Sequence, residues 1–66
     1  SGRGNAADRA GGKKGDIIVA IDATYIKSPS VLREKINGFH PGDKAVITVI
    51  RNSKQQKLDV EFTEDD

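Results

Sequence analysis

The sequence predicts a small α+β fold, mostly β, with short antiparallel strands and two short helices. Three observations predict it: a β-branched apolar run at Ile17–Ile21, a helix-start signal at Ser28-Pro29, and two strand patterns at 45–50 and 58–63 joined by a short turn. With 66 residues, of which 35% are hydrophobic, the chain holds at most one small domain. This length excludes a multidomain enzyme.

The N-terminal part predicts one short helix. Residues 1–4 are glycine-rich and read as a flexible end. Asn5 is a good N-cap for an alanine-rich helix of one to two turns, and Gly11-Gly12 can end that helix. After a turn, the run Ile17–Ile21 has no polar alternation, which predicts a strand buried on both faces. Tyr25-Ile26 is long enough only for a short extended piece.

The second half predicts a helix followed by a hairpin. Ser28 is suited to cap a helix whose first residue is Pro29, and Asn37-Gly38 supplies its C-cap. Residues 45–50 are rich in β-branched side chains, which favour a strand. Residues 58–63 alternate apolar and polar side chains, which is typical of a strand with one buried face. We expect these two strands to pair as an antiparallel hairpin.

The composition argues against catalytic, metal and cofactor chemistry. Without cysteine the chain has no thiolate zinc site and no thiol nucleophile. The single histidine, His40, precedes Pro41-Gly42 in a turn, where a surface loop role is favoured over membership of a triad. Glycines at 11–15 precede a strand and lack the Gly-Lys-Ser/Thr ending of a phosphate cradle. We therefore predict no catalytic residue, no metal site and no cofactor.

The charge pattern predicts neither a nucleic-acid site nor a membrane segment. The net charge is +1, and the aromatic residues are not interleaved with the basic ones as stacking platforms would be. Salt-sensitive binding of nucleic acid through the basic residues stays a weak alternative. Residues 64–66 form an acidic tail. The longest apolar run, Ile17–Ile21, is far shorter than the roughly 20 residues that span a bilayer.

Two stretches of the sequence resemble a known family. The small-residue segment 5–11 is followed by Gly15-Asp16-Ile17-Ile18, and further on come the helix from Ser28, Pro41-Gly42-Asp43 and the terminal hairpin. This combination resembles the PDZ domain of bacterial HtrA-like (Do-type) serine proteases. The resemblance covers residues 5–63 as a partial domain and implies a PDZ-like small antiparallel β-sandwich or partial barrel. The N-terminal strand and carboxylate-binding loop of the family have no counterpart before Asn5, so the domain reads as N-terminally truncated.

The resemblance implies a peptide-binding groove beside the second helix. PDZ domains add a peptide as an extra strand at a sheet edge, and the helix selects its side chains. Leu32 and Ile36 match family positions that face the core, and helix spacing places Pro29, Arg33 and Asn37 on the neighbouring stripe. The predicted peptide-binding set is Pro29, Arg33, Ile36 and Asn37. Arg33 would favour acidic or polar side chains of the ligand, although a solvated helix residue is an equally good interpretation.

Two residues depart from the family pattern. Gly12 stands where the family has leucine or isoleucine, so the apolar side chain found at this position in the family is missing. Ala23 stands where the family has glycine, and alanine is strained there by about 1 kcal/mol if that turn needs a positive φ. Both departures predict lower stability.

The resemblance implies a non-catalytic, periplasmic peptide-binding module that regulates an HtrA-like serine protease. Its expected partners are C-terminal or unfolded segments of proteins and the protease domain of the parent chain. Tail-specific and site-2 proteases carry similar domains and are alternative parents. A third interpretation is an assembly piece that associates with a second copy through an open sheet edge.

Overall fold

The computed structural model describes residues 5–64, which form two helices and one open four-stranded sheet. The elements are α1 (Asn5–Arg9), β1 (Ile17–Ile21), β2 (Thr24–Tyr25), α2 (Pro29–Asn37), β3 (Lys44–Arg51) and β4 (Lys54–Glu61). The strands are antiparallel in the order β2-β1-β3-β4. The predicted fold class is confirmed. The predicted flexible end at 1–4 and the last two residues of the predicted acidic tail lie outside the described residues.

The hairpin of β3 and β4 is longer than the sequence pattern predicted. Its register runs without interruption from Lys44 opposite Glu61 to Arg51 opposite Lys54. The connecting residues Asn52 and Ser53 have φ values of 51° and 65°, as in the tight two-residue turns that match the twist of paired strands. Backbone pairing therefore carries β4 back to Lys54, through exposed polar residues that show no apolar alternation.

The core lies on one face of this hairpin and continues onto β1 and α1. Its buried members are Ala6, Ile21, Ala45, Ile47, Val49, Leu58, Val60 and Phe62. Ala45 lies opposite Val60 and Ile47 opposite Leu58, so the pleat places these four side chains on the same face. Phe62 stacks on Phe39 with ring centroids 4.3 Å apart, which closes the core beyond the end of β4.

The prediction that β1 is buried on both faces is wrong. Only Ile21 is buried, with no exposed surface, whereas Ile17 at the other end of the strand is 62% exposed. The cause is unequal pairing. β1 pairs with β3 over most of its length but with β2 only at Ala20 and Ile21. Among residues 5–64, nothing covers the outer side chain of Ile17.

Helix α2 begins and ends where the sequence predicts. The Ser28 hydroxyl accepts a hydrogen bond from the Val31 amide at 3.4 Å, and the Gly38 amide donates to the Lys35 carbonyl at 3.2 Å. No residue of the helix is buried, although Leu32 and Ile36 pack partly buried against the core. The helix thus lies on the rim of the core and keeps one side open.

Two interpretations of family departures require correction. A Cβ at Gly12 would lie 2.8 Å from the Ala7 carbonyl oxygen, so glycine is required by the close turn that ends α1. The left-handed residue after β1 is Asp22, with φ 51°, and not Ala23. Aspartate tolerates this conformation, and Asp22 is held by the Val46 amide, which donates to its Oδ1 at 2.9 Å. Neither position supports the expected loss of stability.

The uneven burial of β1 can be tested with a matched pair of substitutions. Ile21→Val should lower the free energy of unfolding by about 0.5–1.5 kcal/mol, because it removes a methylene from a closely packed site. Ile17→Val, the same chemical change on the same strand, should alter it by less than about 0.5 kcal/mol. Urea unfolding followed by circular dichroism measures both. Equal losses would contradict the exposed position of Ile17.

Candidate functional site

The start of β1 presents a sheet edge that is free among residues 5–64. On the side away from β3, β1 pairs with Thr24 and Tyr25, and the Ile26 amide donates to the Val19 carbonyl at 2.9 Å. Ile17 and Ile18 pair with β3 alone within the part of the chain that the structure describes. A sheet edge with unpaired backbone groups can receive another extended segment by main-chain hydrogen bonding.

An open cavity of about 370 Å³ lies beside this edge, between the start of β1 and the first turn of α2. It is lined by Asp16, Ile17, Ile18, Ile26, Lys27, Ser28, Pro29 and Leu32. Most of these side chains are apolar. The volume is in the range of sites that hold a small ligand or a few peptide side chains. The arrangement suits an apolar side chain carried by a segment that pairs with the edge of β1.

One wall of the cavity is fixed by an ion pair. The Arg51 guanidinium donates to both oxygens of Asp16, from Nε at 2.8 Å and from Nη2 at 2.6 Å. Nη2 also donates to the Gly11 carbonyl at 2.9 Å, and the Lys13 amide donates to Asp16 at 2.9 Å. This bidentate contact ties the loop before β1 to the end of β3. It holds the first residues of β1 in position.

The same contact sets the charge of Asp16. Hydrogen bonds from Arg51, and then from the Lys13 amide, lower the pKa of Asp16 from 3.8 to about 2. The carboxylate is therefore ionised and neutralised by its partner at physiological pH.

The predicted site residues lie in three different surroundings in the structure. Pro29 lines the cavity, whereas Arg33 and Asn37 are exposed further along α2 and Ile36 packs against the core. The set therefore does not converge on the cavity, and its role in binding stays a prediction. Leu32, which the resemblance placed toward the core, packs against the core and also lines the cavity.

Sequence reasoning missed the four other cavity residues that contribute large side chains, namely Ile17, Ile18, Ile26 and Lys27. For Ile17 and Ile18 the only sequence signal is the unbroken apolar run of β1, which predicts burial on both faces. Ile26 and Lys27 lie after β2 and carry no such signal. An apolar strand residue looks the same in sequence whether it is covered by its own chain or left open for a ligand.

Comparison with protein families decides the identity of this fold. The sequence profile described as "PDZ domain" matches residues 3–62. The chain belongs to the PDZ domain family. The resemblance seen in the sequence is thereby confirmed, and the free β1 edge beside α2 belongs to a PDZ domain. No helix among residues 5–64 is long and apolar enough to cross a membrane.

Similar curated proteins are bacterial proteases. A protein named "Probable periplasmic serine endoprotease DegP-like" from Brucella suis is 37% identical over 54 residues, which is 82% of this chain and 10% of the relative. A protein of the same name from Chlamydia muridarum is 34% identical over 62 residues, 94% of this chain and 12% of the relative. The "Periplasmic pH-dependent serine endoprotease DegQ" of Escherichia coli is 37% identical over 62 residues, 94% of this chain and 13% of the relative. This PDZ domain therefore spans about a tenth of the length of the curated relatives it matches.

The ion pair behind the cavity predicts a pH dependence of stability. The pKa of Asp16 is lowered on folding, so its contribution is present above about pH 4 and is lost as the pH falls toward 2. Asp16→Asn should reduce stability at neutral pH and flatten its decline between pH 4 and 2. Urea unfolding across this range measures both. The control is Asp59→Asn, at an exposed carboxylate on β4, which should retain the wild-type decline over this window. If Asp16→Asn lost stability between pH 4 and 2 as steeply as the wild type does, the decline could not be assigned to Asp16.

Proposed function

We propose that this PDZ domain is the peptide-binding module of an HtrA-like periplasmic serine protease, which recognises C-terminal or unfolded segments by strand addition and regulates proteolysis. The observation that carries the proposal is the edge of β1 that has no pairing partner within residues 5–64, beside an apolar cavity at the first turn of α2. The edge supplies main-chain partners for an extended segment, and the cavity supplies a place for one of its apolar side chains.

The proposed residues of the groove are Pro29, Arg33, Ile36 and Asn37 on α2. Pro29 contacts the cavity, while Arg33 and Asn37 extend the exposed stripe of the helix along which a bound strand would run. Ile36, partly buried against the core, would fix the position of the helix. Main-chain pairing would supply affinity and these side chains selectivity.

The chain itself would be non-catalytic and the protease nucleophile would lie in another part of the parent protein. The relatives named as periplasmic serine endoproteases support this parent and a periplasmic location. A tail-specific or site-2 protease is the alternative parent. In each case the domain would meet two partners, an unfolded or C-terminal segment and the protease domain.

A second candidate function is self-association through the same edge. It is favoured by the large apolar side chains that remain exposed on β1 and β2, Ile17 at 62% and Tyr25 at 73%. A second copy that paired its own β1 with the start of β1 would cover part of the exposed surface of Ile17. Peptide recognition and self-association therefore compete for one surface and can be separated by one experiment.

The test is an NMR titration of the 66-residue chain with an apolar C-terminal peptide, offered as the free acid and as the amide, while translational diffusion is recorded. The proposal predicts saturable shifts at the start of β1 and at residues 29–37, with the diffusion of a monomer. Unequal affinity of acid and amide would indicate recognition of the terminus, and equal affinity would indicate recognition of internal segments. Absence of shifts, together with the diffusion of a dimer, would overturn peptide binding in favour of self-association.

Arg33 tests the proposed groove on α2. Arg33→Glu should change which peptides bind and disfavour those with acidic residues, while the free energy of unfolding stays within about 0.5 kcal/mol of wild type because the side chain is exposed. Peptide affinities and unfolding curves are measured on the same samples. A change in stability without a change in peptide preference would contradict the predicted orientation of the helix.

A further inference from the structure

We propose that Asn37, the last residue of α2, is a site of spontaneous deamidation, and that the packing of the last turn of α2 controls the rate. The inference does not depend on the proposed peptide-binding function. Asn37 is exposed and is followed by Gly38. Glycine favours the reaction because the attacking atom is its backbone nitrogen, which no side chain of its own shields.

The reaction needs only the chain and water. The Gly38 nitrogen gives its proton to a base in the solvent and bonds to Cγ of Asn37, the Cγ–Nδ2 bond breaks, and ammonia leaves. Water then opens the succinimide ring at either of its carbonyl groups and leaves aspartate or isoaspartate at position 37. No oxidant or reductant takes part. Both products add a carboxylate at the C-terminal end of α2, where the free carbonyl groups disfavour negative charge.

The backbone does not require glycine at position 38. Gly38 has φ −82° and ψ −10°, a right-handed conformation that other residues also adopt. A Cβ there would lie 3.5 Å from the Lys35 carbonyl oxygen, which is an ordinary contact. Every other glycine among residues 5–64 has a positive φ or lacks room for a Cβ. Gly38→Ala therefore changes the reactivity of Asn37 without a need to change the fold.

The last turn of α2 protects Asn37 while that turn is folded. The Gly38 amide donates to the Lys35 carbonyl at 3.2 Å. The Phe39 ring stacks on Phe62 with centroids 4.3 Å apart, which holds the end of the helix against the core. An amide that donates within a helical turn is not aligned for attack on the preceding side chain, so the reaction requires local opening of this turn. The native rate is then the rate in the unfolded chain multiplied by the fraction of molecules open at this turn.

The experiment follows the gain in mass at Asn37 by peptide mapping after incubation in mildly alkaline buffer, with and without urea. Asn52, which is exposed and followed by Ser53, is the internal control. In urea, Asn37 should react faster than Asn52, because the serine side chain hinders attack by its own nitrogen. Without urea, the reaction at Asn37 should slow by the factor by which folding slows hydrogen exchange of the Gly38 amide. Gly38→Ala should slow the reaction in both conditions without lowering the urea midpoint.

Two substitutions separate local opening from global unfolding. Phe39→Leu removes the ring stack and should speed the native reaction at Asn37 roughly two- to tenfold, with no change at Asn52. Ile21→Val, which weakens the core on β1 by a similar amount, should leave the rates at Asn37 and Asn52 unchanged. The hydrogen-exchange comparison on the wild-type chain tests the same point if Phe39→Leu does not fold.

Three results would count against the proposal. Equal acceleration by Phe39→Leu and Ile21→Val would show that global unfolding exposes Asn37, and would overturn the role given to the last turn of α2. A rate at Asn37 that is the same with and without urea would overturn that role as well. Absence of a mass gain at Asn37 in urea would overturn the modification site itself.

Discussion

The bidentate contact between Arg51 and Asp16 connects the fold of this domain to its candidate site. Asp16 is the last residue before β1 and Arg51 is the last residue of β3, so one contact fixes the end of the sheet at which β1 begins. The additional bond from Arg51 to the Gly11 carbonyl draws in the loop that follows α1. Without such an anchor, the free edge at Ile17 and Ile18 would begin in an exposed, glycine-rich loop. If a sheet edge is disordered before a ligand strand pairs with it, the entropy lost on ordering that edge weakens binding.

The same contact shapes the charge of the cavity. Asp16 lies in the lining, and an unpaired carboxylate there would attract Lys27. Because Arg51 holds both carboxylate oxygens, the charge of Lys27 is not cancelled from within the cavity. The contact that holds the start of β1 in place therefore also sets the net charge of the cavity lining. Both roles follow from one arginine placed 35 residues away from its partner in sequence.

The sequence was sufficient for features that depend on neighbouring residues. The cap at Ser28 with Pro29, the bounds of α2 and the pairing of the terminal hairpin all follow from local signals, and all are present in the structure. The family was also recognisable, because its motifs are short and ordered along the chain. Features that depend on distant residues were missed. The Asp16–Arg51 pair and the exposure of Ile17 are decided by tertiary contacts that no local pattern encodes.

The two edges of the sheet differ in a way that bears on function. β4 forms one edge, and its first four residues, Lys54 to Lys57, are polar and exposed, with a lysine at each end of the run. Charged side chains on an edge strand discourage pairing with another chain. The opposite edge carries the large exposed apolar side chains of Ile17 and Tyr25. If assembly were the function of the open edge, a matching edge on the second copy would be needed, and β4 is unsuited to provide it. Within residues 5–64, β1 offers a second copy only the short stretch that β2 leaves free. A short free stretch beside an apolar cavity suits a peptide with one anchor better than it suits a second folded domain.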